Sequence, residues 1–108
     1  MKKYEVAVIR ETLNYKTDIE RRETAVLKQE FRNAKTSGAL DEEMYASGLV
    51  ESRDGWILKK NPVMFLSERG FELKAINKYP KIEEGISINC YLKETYITEY
   101  YYQREIDE

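Results

Sequence analysis

Thr17-Asp18-Ile19-Glu20-Arg21-Arg22-Glu23-Thr24-Ala25-Val26-Leu27-Lys28-Gln29-Glu30-Phe31-Arg32-Asn33-Ala34-Lys35 is the stretch whose conformation decides the architecture. Thr17 and Glu20 have the spacing of a capping box, in which a hydroxyl and a carboxylate satisfy the first backbone donors of a helix. Behind them Ile19, Val26, Leu27, Phe31 and Ala34 fall on one helical stripe, and Gly38 offers a stop. The spacing predicts a helix from Asp18 to Lys35. A competing reading makes Asn14 to Arg22 a second strand beside the first and starts the helix at Glu23.

Before this stretch, Tyr4, Val6 and Val8 alternate with Ala7 and Ile9, so both faces are apolar and a strand covered on two sides is expected. After it, Asp41 to Ala46 reads as a short helix ending at Gly48. Leu49 to Ser52, Arg53-Asp54-Gly55 and Trp56 to Lys59 read as strand, turn and strand, because Asp-Gly tolerates the positive φ of a tight hairpin. Val63 to Leu66 is a short apolar run stopped by Ser67 to Gly70. Phe71, Leu73 and Ala75 alternate with charged neighbours, and Glu84-Gly85 makes a turn. Ile86, Ile88, Cys90 and Leu92 alternate with polar residues, and Thr95 to Gln103 is rich in Tyr, Thr and Ile. The sum is a single α+β domain over residues 1–108, one main helix packed on a mostly antiparallel β-sheet of about four to six strands.

Composition narrows the chemistry. The 108 residues are 42% hydrophobic and 35% charged, which excludes a disordered or collagen-like chain. A chain this size folds with about 6,300 Å² of accessible surface, burying roughly two thirds of what the extended chain exposes. No apolar run approaches the ~20 residues of a membrane helix, and Met1-Lys2-Lys3-Tyr4-Glu5 leads into no signal-peptide hydrophobic region, so no membrane association is expected. Histidine is absent, which removes the commonest neutral-pH base and metal ligand. The single cysteine, Cys90, forms no internal disulfide, suits a reducing cytoplasm, and on its strand's apolar side reads as a buried thiol. No cofactor, metal or catalytic residue is expected.

Charge is balanced overall, at −2, yet segregated along the chain. Residues 36–55 hold five acids against one base, net −4. Residues 59–81 hold six bases against two acids, net +4, and residues 82–108 hold seven acids against two bases, net −5. In the basic segment Lys59, Lys60, Lys74 and Lys78 are interleaved with Trp56, Phe65, Phe71 and Tyr79, the make-up of a phosphate-contacting, base-stacking surface. In the last segment Tyr91, Tyr96, Tyr100, Tyr101 and Tyr102 give five tyrosines in twelve residues. Alternation sends Tyr96, Tyr100 and Tyr102 one way, with Ile97 and Tyr101 the other. Tyrosine offers rigid contact area and a hydroxyl at low entropy cost. Tyr96, Tyr100 and Tyr102, with the acids Glu94 and Glu99, are therefore the candidate partner-binding residues.

Three resemblances bear on function. Asp54 followed by Glu72-Leu73-Lys74 resembles the acid and Glu-x-Lys motif of restriction-endonuclease-like nucleases, which implies Mg²⁺ held by Asp54 and Glu72 and water activated near Lys74. Ser47 to Trp56 followed by Phe65 to Leu73 resembles the wing hairpin and following helix of winged-helix regulators, which implies a helix over Glu68 to Lys78 and nucleic-acid binding. In size and in its richness in Lys, Glu, Tyr and Ile, the chain is similar to accessory proteins of bacteriophages and mobile elements, some of which inhibit host defence proteins stoichiometrically. The leading expectation is a non-catalytic module that binds another protein, with a basic surface, through the acidic, tyrosine-rich region. The alternatives are a winged-helix-like nucleic-acid-binding regulator and a metal-dependent nuclease. A tyrosine strand at a sheet edge would also allow a homodimer.

Overall fold

The computed structural model describes residues 3–35, 38–52, 56–85 and 92–106. Seven strands and two short helices follow one another as β1 (Lys3–Thr17), β2 (Glu23–Lys35), α1 (Gly38–Ala46), β3 (Val50–Ser52), β4 (Trp56–Leu58), α2 (Val63–Glu68), β5 (Glu72–Lys78), β6 (Ile82–Glu84) and β7 (Leu92–Ile106). All strands pair antiparallel in a single sheet of order β3-β4-β2-β1-β7-β5, with β6 also on β7.

This overturns the expected α+β arrangement, because no main helix packs on the sheet. The segment from Asp18 to Lys35 is a hairpin turn and a strand. β1 runs on from Ile9 to Thr17, and β2 pairs with it from Thr17↔Glu23 to Val6↔Lys35. The competing start of a helix at Glu23 fails for the same reason. Asp18 decides the turn. Its Oδ1 accepts from the backbone N–H of Glu20 at 2.9 Å and of Arg22 at 2.8 Å, and Oδ2 accepts from Arg22 Nε at 3.0 Å. Short acidic side chains satisfy turn amides as readily as helix N-termini, so the apparent capping signal belongs to a turn. The Arg21 N–H donates to the Asp18 carbonyl at 2.9 Å, and Arg21 itself is left-handed at φ 63°. A type I turn followed by a left-handed residue is a common hairpin connection.

The helical stripe was misleading because periodicity records burial, and this part of the sheet is not covered. Val26 and Leu27 are adjacent on opposite faces and are 60% and 55% exposed. The core lies at the other end of the same strands. Ala7 and Ile9 of β1 and Phe31 of β2 pack with Met44, Leu49, Val50, Leu58, Leu66 and Phe71. Thus α1, the β3–β4 hairpin and α2 cover one face over about half its length. As expected, Tyr4–Ile9 begins a strand, and Ala7, Val8 and Ile9 are all buried.

The short elements agree better with expectation. α1 ends at Gly48, whose φ of 74° lets its own N–H reach the Tyr45 carbonyl and that of Leu49 reach Met44. β3 and β4 pair as read, although their turn, Arg53-Asp54-Gly55, lies outside the described residues. Residues 68–78, helical on the winged-helix resemblance, instead hold the end of α2 and the strand β5. Ile86 to Tyr91, including the proposed strand positions and Cys90, lie outside the described residues.

Two arginines tie the layers together. Arg104 Nη2 is 2.8 Å from Glu5 Oε2, Nη1 donates to the Arg69 carbonyl at 2.9 Å, and the guanidinium lies 4.7 Å from the Phe71 ring centroid. Arg69 stands 3.5 Å from the Phe65 centroid and reaches Glu43 Oε2 at 2.6 Å, joining α2 to α1. Beyond this anchored end β1, β2 and β7 continue as an arm. From Glu11 to Thr17 the arm adds about 20 Å at strand rise. The molecule measures 57 × 27 × 20 Å and exposes 7682 Å², above the compact-globule expectation of about 6,300 Å².

Candidate protein-binding face

Residues directly opposite in an antiparallel pair share a face. The core face therefore carries Ile9, Glu11, Leu13 and Tyr15 of β1 beside Tyr100, Thr98, Tyr96 and Glu94 of β7, and Phe31, Gln29, Leu27 and Ala25 of β2. Tyr96, Tyr100 and Tyr102 do share this face, as alternation predicted. The structure then divides them. Tyr100 and Tyr102 are half-buried against the core, whereas Tyr96 stands beyond it on the arm, 37% exposed.

Tyr96 has a companion that the sequence reading missed. Its ring meets Tyr15 edge-on, with centroids 5.7 Å apart and planes at 88°. Edge-to-face packing of this kind adds to area burial and stiffens both rings. The Tyr96 hydroxyl donates to Glu94 Oε2 at 2.8 Å, and that carboxylate holds the phenol's pKa above its usual value, with burial adding to the effect. Glu94 is also 3.8 Å from Lys81 Nζ, and its charge raises the pKa of that lysine. A groove of about 450 Å³ runs here between Leu13, Tyr15, Thr17, Leu92, Glu94 and Tyr96. A second, of about 330 Å³, opens where the arm meets α2, and brings Tyr100 and Tyr102 together with Lys59 and Lys60 beside Glu11 and Gln29. Leu13 and Tyr15 could have been found as apolar residues continuing the β1 alternation. Leu27 carried no such signal, since its neighbour Val26 is equally apolar.

Glu99 occupies the opposite face and is only 4% exposed. It accepts from Arg10 Nε and Nη2 at 3.3 and 3.1 Å, from the Tyr101 hydroxyl at 3.3 Å, and from the Tyr79 hydroxyl. Burial pushes its pKa up, but the hydrogen bonds from Tyr79 and Arg10 and the charge of Arg10 together hold it below the usual value. The Tyr79 phenol, donating to that carboxylate, is pushed up to about 12. Glu99 thus serves an internal network and is not presented to a partner.

Folding also rearranges the charge blocks. Lys59 pairs with Glu51 at 2.7 Å, Lys74 with Glu72 at 3.0 Å, Lys81 with Glu83 at 3.6 Å, and Lys93 with Glu84 at 3.7 Å. Acidic and basic segments lie side by side, because β5 and β6 both pair with β7. Lys60 lines the second groove, while Lys74 and Lys78 stand on the exposed strand β5. Of the aromatics interleaved with these lysines, Phe71 is buried in the core and Phe65 packs against it, so they form no open stacking platform. The nuclease triple fares similarly. Asp54 is outside the described residues, and Glu72 and Lys74 are paired with each other. Among the described residues no three His, Cys, Asp or Glu side chains converge as metal ligands.

β7 is interior to the sheet, with β1 on one side and β5 and β6 on the other, so the tyrosine strand is not an edge available for pairing. Among the described residues no helix is long and apolar enough to cross a membrane. No protein-family model matches the chain, and no curated protein matches it significantly.

Proposed function

We propose that this chain is a non-catalytic protein-binding module whose interface is the uncovered half of the core face, centred on the Tyr15–Tyr96 pair. The observation that carries the reading is the placement of that pair. Two interlocked tyrosines stand with Leu13 and Leu27 beyond the last core residue, beside a groove with room for a partner side chain. Rigid aromatic anchors around a pocket are the usual source of binding energy at protein interfaces. Tyr100 and Tyr102 extend the track toward the core and contribute their exposed edges, while Glu94 lines the groove.

The partner is a protein. The β7 acids Glu99 and Glu94 are engaged with the chain's own Arg10 and Lys81, so shape and aromatic contact matter more than attraction to a basic surface. Small size and a single projecting arm suit a stoichiometric blocker of a larger protein, such as a host defence protein in the cytoplasm. The nucleic-acid alternative has less support, since Lys59 and Lys74 are neutralised in place.

The test compares wild type with a Tyr15→Ala, Tyr96→Ala double variant in affinity capture, followed by titration of the purified captured partner. Both residues are more than a third exposed, so the double variant keeps its circular dichroism spectrum. The partner should bind wild type and be lost, or weakened at least about tenfold, with the double variant. Equal affinity for a folded double variant refutes the interface.

A further inference from the structure

We infer that the free edge of β2 pairs with the same edge of a second copy of this chain. β2 is bonded to β1 along its length, but on its other side β4 pairs only with Glu30 and Phe31. Glu23 to Gln29 therefore presents an open row of backbone donors and acceptors among the described residues. Such a row is completed by another extended strand.

The other edges of the sheet are guarded. β5 carries Glu72, Lys74 and Lys78 and has an irregular register between Leu73 and Ala75, while β3 and β6 are three residues long. Charge, bulges and shortness are the usual protections against edge pairing. The open stretch of β2 is seven residues long and has no bulge, and its only charged residues, Glu23 and Lys28, flank an apolar centre. It contains no proline, its register with β1 is regular, and its central Val26 and Leu27 are largely exposed. Its one lysine, Lys28, lies 3.7 Å from Glu30 on its own strand.

The geometry selects a second copy and a register. The turn at Arg22 bounds the edge at one end, and β4 bounds it at the other. An antiparallel pair of identical strands related by a two-fold axis must place one residue opposite itself. The register that uses all seven free positions is centred on Val26. It sets Val26 against Val26 of the second copy, Ala25 against Leu27, Thr24 against Lys28, and Glu23 against Gln29. No like charges meet, and the central pair is β-branched and apolar, a favourable cross-strand combination. A centre one residue earlier would bring Arg22 against Lys28, and one residue later would drive the second strand into β4. The resulting sheet runs through both arms without interruption.

The experiment is sedimentation equilibrium over a concentration series, with wild type, Val26→Lys, Val26→Glu, and an equimolar mixture of the two variants. Wild type should rise from 12.8 kDa at low concentration toward twice that mass. Each single variant should remain at the monomer mass, because like charges would then face each other on the axis. The mixture should dimerise again. Unchanged circular dichroism of the variants separates loss of pairing from loss of fold. A wild type that stays monomeric at every concentration, variants that dimerise as well as wild type, or a mixture that does not recover each overturn the proposal.

Discussion

Arg21 gives the sharpest test of the hairpin, because the same substitution has opposite signs in a turn and in a helix. In the structure Arg21 sits at φ 63°, a conformation that costs an L-residue roughly 1–2 kcal/mol and glycine almost nothing. Arg21→Gly removes that cost, while the freer unfolded chain takes back roughly 0.4–1 kcal/mol. The net gain is about 0.5–1 kcal/mol, or about 3–6 °C in Tm for a domain of this size. Arg21→Asn should also raise Tm, by less, since asparagine tolerates the left-handed region while keeping a polar side chain. In a helix from Asp18 to Lys35 both changes would lower stability, glycine by nearly 1 kcal/mol. Thermal melts followed by circular dichroism, with urea midpoints as a second measure, decide the sign. A fall in Tm for both variants refutes the turn and the strand pairing that follows from it.

Three further outcomes are expected. Leu66 is fully buried between α2 and the sheet, so Leu66→Ala should cost about 2–5 kcal/mol in urea unfolding. Tyr102→Ala should destabilise by at least about 2 kcal/mol because its ring packs on the core, whereas Tyr96→Ala should cost well under half as much. Glu99 has a folded pKa below its unfolded value of about 4.3, so its contribution is fully present above that pH and is lost as pH falls through the folded value. Glu99→Gln should therefore lower stability by about 1–3 kcal/mol at pH 7 and flatten the acid limb of a urea-midpoint profile. An acid limb as steep as that of wild type would show that other carboxylates govern it.

Much of the covered half of the molecule was legible. Ala7, Val8 and Ile9 are apolar on both faces because both faces are buried there, and that burial is written directly into the residues. Gly48 ends α1 because the chain needs a left-handed residue at that point. Tyr96, Tyr100 and Tyr102 were correctly placed on one face, since alternation is a property of any strand. The arm was not legible for the complementary reason. Val26 and Leu27 face opposite sides of an uncovered ribbon, so nothing imposed alternation on them, and chance spacing with Ile19, Phe31 and Ala34 imitated a helix. The candidate site shared in that error, because Tyr15 and Leu27 gain meaning only once β1 and β2 are seen to run past the core.

What the residues alone determined is the set of possible interactions: no histidine chemistry, one small core, a cluster of tyrosines in alternating positions, and stops at Gly48 and Gly70. Which tyrosines are structural and which are presented, which acids are already neutralised, and which strand edge stays open were decided only by the long-range pairing of β1 with β7, whose partners lie some ninety residues apart. Local periodicity cannot carry that information, because a strand's neighbours come from distant sequence and its burial is set by what they leave uncovered.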